Sequence, residues 1–249
     1  MSLRNLSMAF ALSIIVPAFA SAGPLWNIHT DAKGGVGQLQ TINFNFNGQN
    51  ETGLAGTLST VQVPGGTPFD TYCIDLYHTF QLGTSGSNWE VEVLPISSYM
   101  GAVGVTPPNN PGGNPGAIGY LYDKYARSVS TGIEGAALQV AIWKVNYDNS
   151  NSFSTGSFRF AANGNPNSIQ SKVFAQATTY LAGFDGTRSN FNATYLRATS
   201  HPNGGNQDLV GPGSLSAVPE PASVAMVACG LGVVVLARRQ KSGRSVVVG

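Results

Sequence analysis

Hydrophobic and polar positions alternate through the first half of the chain and change to helical spacing in the second. Ile42, Phe44 and Phe46 alternate with Asn43, Asn45 and Asn47, the period-two pattern of a half-buried strand. Residues 54–63 predict a second strand, closed by Pro64-Gly65-Gly66, and residues 69–77 a third. Trp89, Val91 and Val93 alternate with Glu90 and Glu92, which predicts a fourth strand with its acidic face in water. Residues 106–116 (TPPNNPGGNPG) form a loop, since neither helix nor strand interior accepts that run. Residues 117–127 then predict a short helix carrying Tyr120, Leu121 and Tyr125. Thr131 followed by Glu134 is a capping box for a helix from Gly132 to about Tyr147. A third helix covers roughly 167–181, after Asn165-Pro166. Residues 153–160 and 191–199 read as returning strands, and 201–217 as a Gly/Pro/Asn linker. The expectation is an α+β domain over 23–200, β-rich and sandwich- or barrel-like, with an inserted helical section.

The two ends of the chain have a different character. Arg4 is the only charge before residues 8–20, an apolar stretch broken by Ser13 and Pro17. Ala20-Ser21-Ala22 offers small-x-small, so residues 1–22 read as a signal peptide cut between Ala22 and Gly23 by signal peptidase. At the other end, Pro219-Glu220-Pro221 precedes an uncharged run, 222–237, that stops at Arg238-Arg239. Sixteen residues span about 24 Å as a helix. That is short of a roughly 30 Å hydrocarbon core, a gap that snorkelling arginines and local thinning can close. The basic tail, 238–249, stays cytoplasmic under the positive-inside rule. Pro-Glu-Pro, a short apolar helix and an arginine cluster, together covering 218–249, resemble the PEP-CTERM sorting signal of exported bacterial proteins. The resemblance implies recognition and removal of the tail by an exosortase. It also implies at least transient anchoring in the inner membrane by the C-terminal helix, followed by release to the cell surface or an extracellular matrix.

Once these ends are set aside, the charge changes sign. The whole chain carries +1, but residues 23–216 hold eight basic and eleven acidic side chains, a net of −3. A weakly acidic, charge-poor body rich in Gly, Asn, Ser and Thr is no nucleic-acid surface. Three scattered histidines, His29, His78 and His201, show no metal-ligand spacing, and no cofactor motif is present. The tryptophans and tyrosines read as core, and the Asn-rich strand face as solvated.

The chain has two cysteines, and Cys229 falls inside the apolar C-terminal run. Cys73 is therefore alone in the exported body. It reads either as an inert buried hydrophobe or as a functional thiol. It lies in Tyr72-Cys73-Ile74-Asp75, and a second segment, Gln139-Val140-Ala141-Ile142-Trp143, follows on a predicted helix. The strand and the helix together resemble the thioester domains of bacterial surface adhesins. In that family a cysteine sulfur is joined to a glutamine side-chain carbonyl with loss of ammonia. The resemblance covers about residues 69–147 and assigns the cross-link to Cys73 and Gln139; Asp75 and Trp143, beside them in sequence, are candidate supporting residues. Two departures accompany it. Leu138 stands where those domains often have Thr, and their hosts attach to a Gram-positive wall.

The residues themselves give the pair a separate rationale. On a helix Gln139 shares an apolar face with Gly135, Ala136, Ile142 and Trp143, so its amide needs partners there. Either a thioester to the thiol or hydrogen bonds to a strand backbone would provide for it. Tyr72, Asp75 and His78 are the candidates for proton transfer beside Cys73. No nucleophile signature of a hydrolase appears, and no turnover is expected. Two functions stay open: covalent adhesion to an amine-bearing target, or a passive component of an extracellular polysaccharide matrix with no thioester.

Overall fold

The computed structural model describes residues 23–33, 38–78, 88–101, 113–148, 150–184, 191–200 and 206–215. Residues 1–22, expected to be a signal peptide, the Pro-Glu-Pro motif, the apolar run 222–237 and the tail with Arg238 and Arg239 lie outside the described residues. Among the described residues no helix is long and apolar enough to cross a membrane.

Among the described residues, nine strands and three α-helices alternate unevenly. Strands β1 (Leu25–Ala32), β2 (Gln40–Phe46), β3 (Gln49–Ala55), β4 (Leu58–Gln62), β5 (Phe69–Cys73) and β6 (Asn88–Pro95) come first. Helix α1 (Pro115–Tyr125), helix α2 (Gly132–Tyr147), strand β7 (Phe158–Arg159) and helix α3 (Ile169–Ala182) follow. Strands β8 (Ala193–Ala198) and β9 (Leu209–Pro212) end the fold. Six strands close an antiparallel barrel in the order β1-β4-β5-β9-β8-β6, and β3-β2-β7 form a separate three-stranded sheet. The β-rich domain with helices inserted between β6 and β8 is thus present.

Helix α2 is the centre of the molecule. Every residue from Gly135 to Tyr147 is buried. Sequence pattern gives it an apolar face; the structure buries it all round, between α1, α3 and the small sheet. Its start is fixed by the expected capping box: Glu134 N donates to Thr131 Oγ1, and the Glu134 carboxylate accepts from Thr131 N and Ser130 N. Gly135 allows a close approach, because a Cβ there would lie 2.6 Å from Thr57 Oγ1.

Several expected elements differ. The strand expected over 54–63 is two strands in two sheets, the end of β3 and all of β4, with the crossing at Gly56-Thr57. The strand expected over 69–77 stops at Cys73. The Asp75 carboxylate then accepts from Tyr77 N at 2.7 Å and His78 N at 3.3 Å, closing a turn. Only Phe158–Arg159 of the strand expected over 153–160 pairs. β1 was not anticipated, since its inward positions Ile28, Thr30 and Ala32 include a threonine. Thr30, Thr60 and Thr71 hydrogen-bond in series inside the barrel, at 2.9 and 2.7 Å. The segment read as linker supplies β9, with Leu209 and Val210 fully buried, so the domain runs past residue 200.

A buried ion pair ties α2 to the small sheet. Lys144 has no exposed side-chain surface, and its Nζ donates to Asp148 Oδ2 (2.8 Å), Thr155 O (2.6 Å) and Phe158 O (3.0 Å). Asp148 in turn accepts from Ser157 N and Phe158 N. All three ammonium protons and both carboxylate oxygens are used. Asp148→Ala leaves that ammonium buried without its counter-charge and should cost about 3–5 kcal/mol in urea unfolding.

Candidate functional site

The site begins with a gap in a ladder. Leu58 pairs with Thr71 at the start of β4, so Gly56 would stand opposite Cys73 if β4 continued. It does not, because the chain has already crossed to the other sheet. On its other side Cys73 sits opposite Leu209 of β9, and the hydrogen bonds to that strand come from its neighbours, with Ile74 N donating to Asp208 O. The N–H and C=O of Cys73 therefore face the missing partner.

Gln139 fills the gap. Cys73 N donates to Gln139 Oε1 at 3.0 Å, and Gln139 Nε2 donates to Cys73 O at 2.5 Å. The amide takes the place of an absent strand residue. Two further side chains of α2 serve the same strand end: Asn146 Nδ2 donates to Ile74 O, and the Tyr147 hydroxyl accepts from Leu76 N at 2.8 Å. Positions 139, 146 and 147 lie two turns apart on one helical face. The structure thus brings Cys73 and Gln139 into direct contact, through backbone and amide.

Both residues line a pocket of about 560 Å³ between α2, the end of β5 and the β2–β3 hairpin. Its walls are largely apolar, with Phe44, Phe46, Leu58 and Leu76 prominent. Trp143 lies in the same wall, its ring 5.8 Å from Phe44 and 6.0 Å from Phe158. The Trp143 indole N–H has no hydrogen-bond partner among the described residues. Asp75 is buried but does not line the pocket; it pairs with His78 Nδ1, and His78 does line it. Tyr72 points to the opposite side, where its hydroxyl meets Thr57 Oγ1 at 2.8 Å, so it is not beside the thiol. Gln207 was not anticipated. Its Nε2 donates to Asp75 O at 2.8 Å and to His78 O, and so holds the turn that presents His78. The β2–β3 hairpin was also missed as a wall, although Asn47-Gly48, with φ of 51° and 86°, is a strong two-residue hairpin signal.

Burial pushes the Cys73 thiol well above its ordinary pKa, and the nearby Asp75 charge pushes the same way. The thiol is therefore neutral at physiological pH. That environment is opposite to a hydrolase cysteine, whose thiolate is stabilised by a cation. Among the described residues no cluster of His, Cys, Asp and Glu could hold a metal ion.

A second glutamine repeats the geometry without a cysteine. Gln170 Oε1 accepts from Asn43 N at 3.1 Å, and Gln170 Nε2 donates to Asn43 O at 2.8 Å and Ala161 O at 2.9 Å. Here too the side chain stands in where a ladder opens, at the point where β7 leaves β2.

No protein-family model matches the chain, and no curated protein matches it. Among solved structures the chain is similar to the N-terminal thioester domain of the fibronectin-binding protein SfbI from Streptococcus pyogenes. The identity is 13%, the match covers 79% of this chain and 97% of that one, and the TM-score is 0.42. It is also similar to the N-terminal domain of the Streptococcus pyogenes pilus tip adhesin Cpa, with 14% identity, coverage of 64% and 83%, and a TM-score of 0.43.

Gln139→Leu orphans two buried backbone groups and should lower stability by about 2–4 kcal/mol, whereas Gln170→Leu at the wetter bracket should cost less than about 1 kcal/mol; urea titrations of both variants compare them. In Gln139→Leu the thiol is necessarily free. Because burial disfavours the thiolate, iodoacetamide should label the folded variant slowly from pH 7 to beyond the usual thiol pKa of about 8.5, and rapidly once it is unfolded.

Proposed function

We propose that the protein is an exported surface protein in which Cys73 and Gln139 close into an internal thioester used for covalent attachment to an amine-bearing surface. The observation that carries this reading is the double hydrogen bond between the Gln139 amide and the backbone of Cys73 itself. An amide held that way has its carbon opposite the Cys73 Cα. The thiol belongs to the same residue that the amide brackets. Proximity of this kind turns a sluggish bimolecular reaction into a favoured intramolecular one.

The steps balance without a cofactor. The Cys73 sulfur attacks the Gln139 Cδ, and the Cys73 N–H, already bonded to Oε1, stabilises the developing oxyanion. The C–N bond breaks, and ammonia leaves carrying the thiol proton. His78, its Nδ1 held by Asp75, is the pocket residue suited to move that proton. A primary amine that enters the pocket then forms an amide with the Gln139 acyl group, and the sulfur departs as a thiol. Each molecule reacts once, so this is attachment rather than turnover.

Sequence and structure support export from the other end. The backbone N of Gly23 lies 2.9 Å from Glu92 Oε1, and Glu92 also pairs with Arg197. Cleavage after Ala22 would put an α-ammonium beside that carboxylate, a pairing that stabilises a mature N-terminus there. In this reading signal peptidase makes the first cut and an exosortase the last. The protein stays anchored by its C-terminal helix only until it reaches the surface or the matrix.

The Gln170 bracket favours a second reading. It performs the same backbone task with no sulfur nearby, so Gln139 has a sufficient structural role of its own. In that case the protein is a passive component of a surface or extracellular polymer layer.

Intact mass separates the two. A thioester makes the purified protein lighter by one ammonia, and methylamine restores the mass with a methyl tag on residue 139. Cys73→Ala should abolish the deficit and Gln170→Glu should retain it. A full mass, with a thiol that labels after unfolding, leaves only the passive reading.

A further inference from the structure

A second cavity, larger than the thioester pocket, lies on the outer face of the small sheet. Its volume is about 930 Å³, near the top of the roughly 300–1,000 Å³ found for ligand clefts. The groove runs between the β2–β3 hairpin, the 151–163 segment and α3. Its chemistry differs from that of the Cys73 pocket. Asn43, Asn45, Asn50, Asn151, Asn163 and Gln170 line it with six carboxamides. Beneath them Phe153, Phe160 and Phe174 pack as a triangle, with ring centroids 5.7, 5.8 and 6.0 Å apart. Phe174 and Phe44 are partly buried and line it.

The amides are held in place from below. Asn45 Nδ2 donates to Asn50 Oδ1 at 3.1 Å, and Asn45 Oδ1 accepts from Arg159 at 3.0 Å. Thr52 donates to Asn43 Oδ1 at 2.7 Å, and Asn151 Nδ2 donates to Phe184 O at 3.1 Å. Each bond fixes one end of an amide. The Nδ2 groups of Asn43 and Asn50 and the Oδ1 of Asn151 make no hydrogen bond to another described residue. The groove therefore presents oriented donors and acceptors together, on short stems that lose little freedom on binding. Its charges, Glu51 and Arg159, cancel.

We propose that this groove binds a neutral polysaccharide. Hydroxyl groups both donate and accept, and carboxamides are the side chains that answer both functions at fixed geometry. The apolar C–H faces of sugar rings suit the partly buried phenyl rings that line the groove, whose electron-rich faces attract positive edges. The balanced charge excludes polyanions such as nucleic acids and acidic polymers, which need a basic surface. Phe44, Glu51 and Thr52 line both this groove and the Cys73 pocket, so a bound glycan lies against the mouth of the other site. Binding here is non-covalent and does not depend on a thioester.

The test is an array of neutral oligosaccharides, comprising α- and β-glucans, mannans, galactans and N-acetylhexosamine oligomers, probed with the purified protein and followed by calorimetry on the hits. At least one neutral series should bind. Asn43→Ala/Asn50→Ala, at exposed positions, should weaken it tenfold or more with an unchanged melting temperature. Thr178→Trp on the rim should block it sterically, which provides a variant that removes no amide. Cys73→Ala should bind as well as the unaltered protein, so loss of the thioester and loss of glycan binding read out separately. The proposal is overturned if no neutral glycan binds, if binding survives both groove variants, or if only anionic polymers bind.

Discussion

A barrel strand that loses its neighbour halfway along must find other partners for its backbone, and most of this architecture follows from how β5 does so. β4 ends beside Thr71, yet the chain of β5 continues inward through Cys73, Ile74 and Leu76. Each unmet buried group there would cost about 1–3 kcal/mol. Helix α2 supplies the partners from side chains, which requires it to lie against the strand end and to be buried throughout. Gly135 makes the approach possible, the Thr131–Glu134 box fixes where the helix begins, and Lys144–Asp148 fixes what packs beyond it.

The same device appears twice, and the comparison isolates what is chemically special. Gln139 and Gln170 each bracket one residue's N–H and C=O. One bracket holds a buried cysteine in a largely apolar pocket; the other holds an exposed asparagine in a polar groove. Hydrogen-bond geometry alone therefore describes a repair of a broken ladder. Reactivity requires in addition a sulfur, and of the two brackets only that of Gln139 holds a cysteine.

The amino-acid pattern revealed most where local rules and tertiary demands agree. α2 was legible because a capping box is a local signal, and the nearness of Gln139 to Cys73, seen as backbone–amide hydrogen bonds, was legible through a motif resemblance. β1 and β9 were hidden for physical reasons. Barrel interiors accept hydrogen-bonded threonines such as Thr30 and Thr60, which blur period-two hydrophobicity. β9 is four residues long, and it is introduced by Asp208, a buried carboxylate that accepts from Tyr195 and from Ala198 N. A charged residue ahead of a short apolar run reads as loop until its partners from β8 are known. Gln207 was hidden likewise, since its contacts with the Asp75–His78 turn span more than a hundred residues of sequence, whereas His78 was legible as a neighbour of Cys73.

The position of β9 has a mechanical consequence. Among the described residues it is the last strand. β9 is hydrogen-bonded on both sides, to β5 and β8, and its first residue, Leu209, lies beside Cys73. If the proposed attachment at Gln139 carries a load, tension along β9 acts parallel to that strand. The ladder bonds on both flanks are then loaded in parallel and must yield together, so the barrel resists pulling by shear instead of unzipping bond by bond.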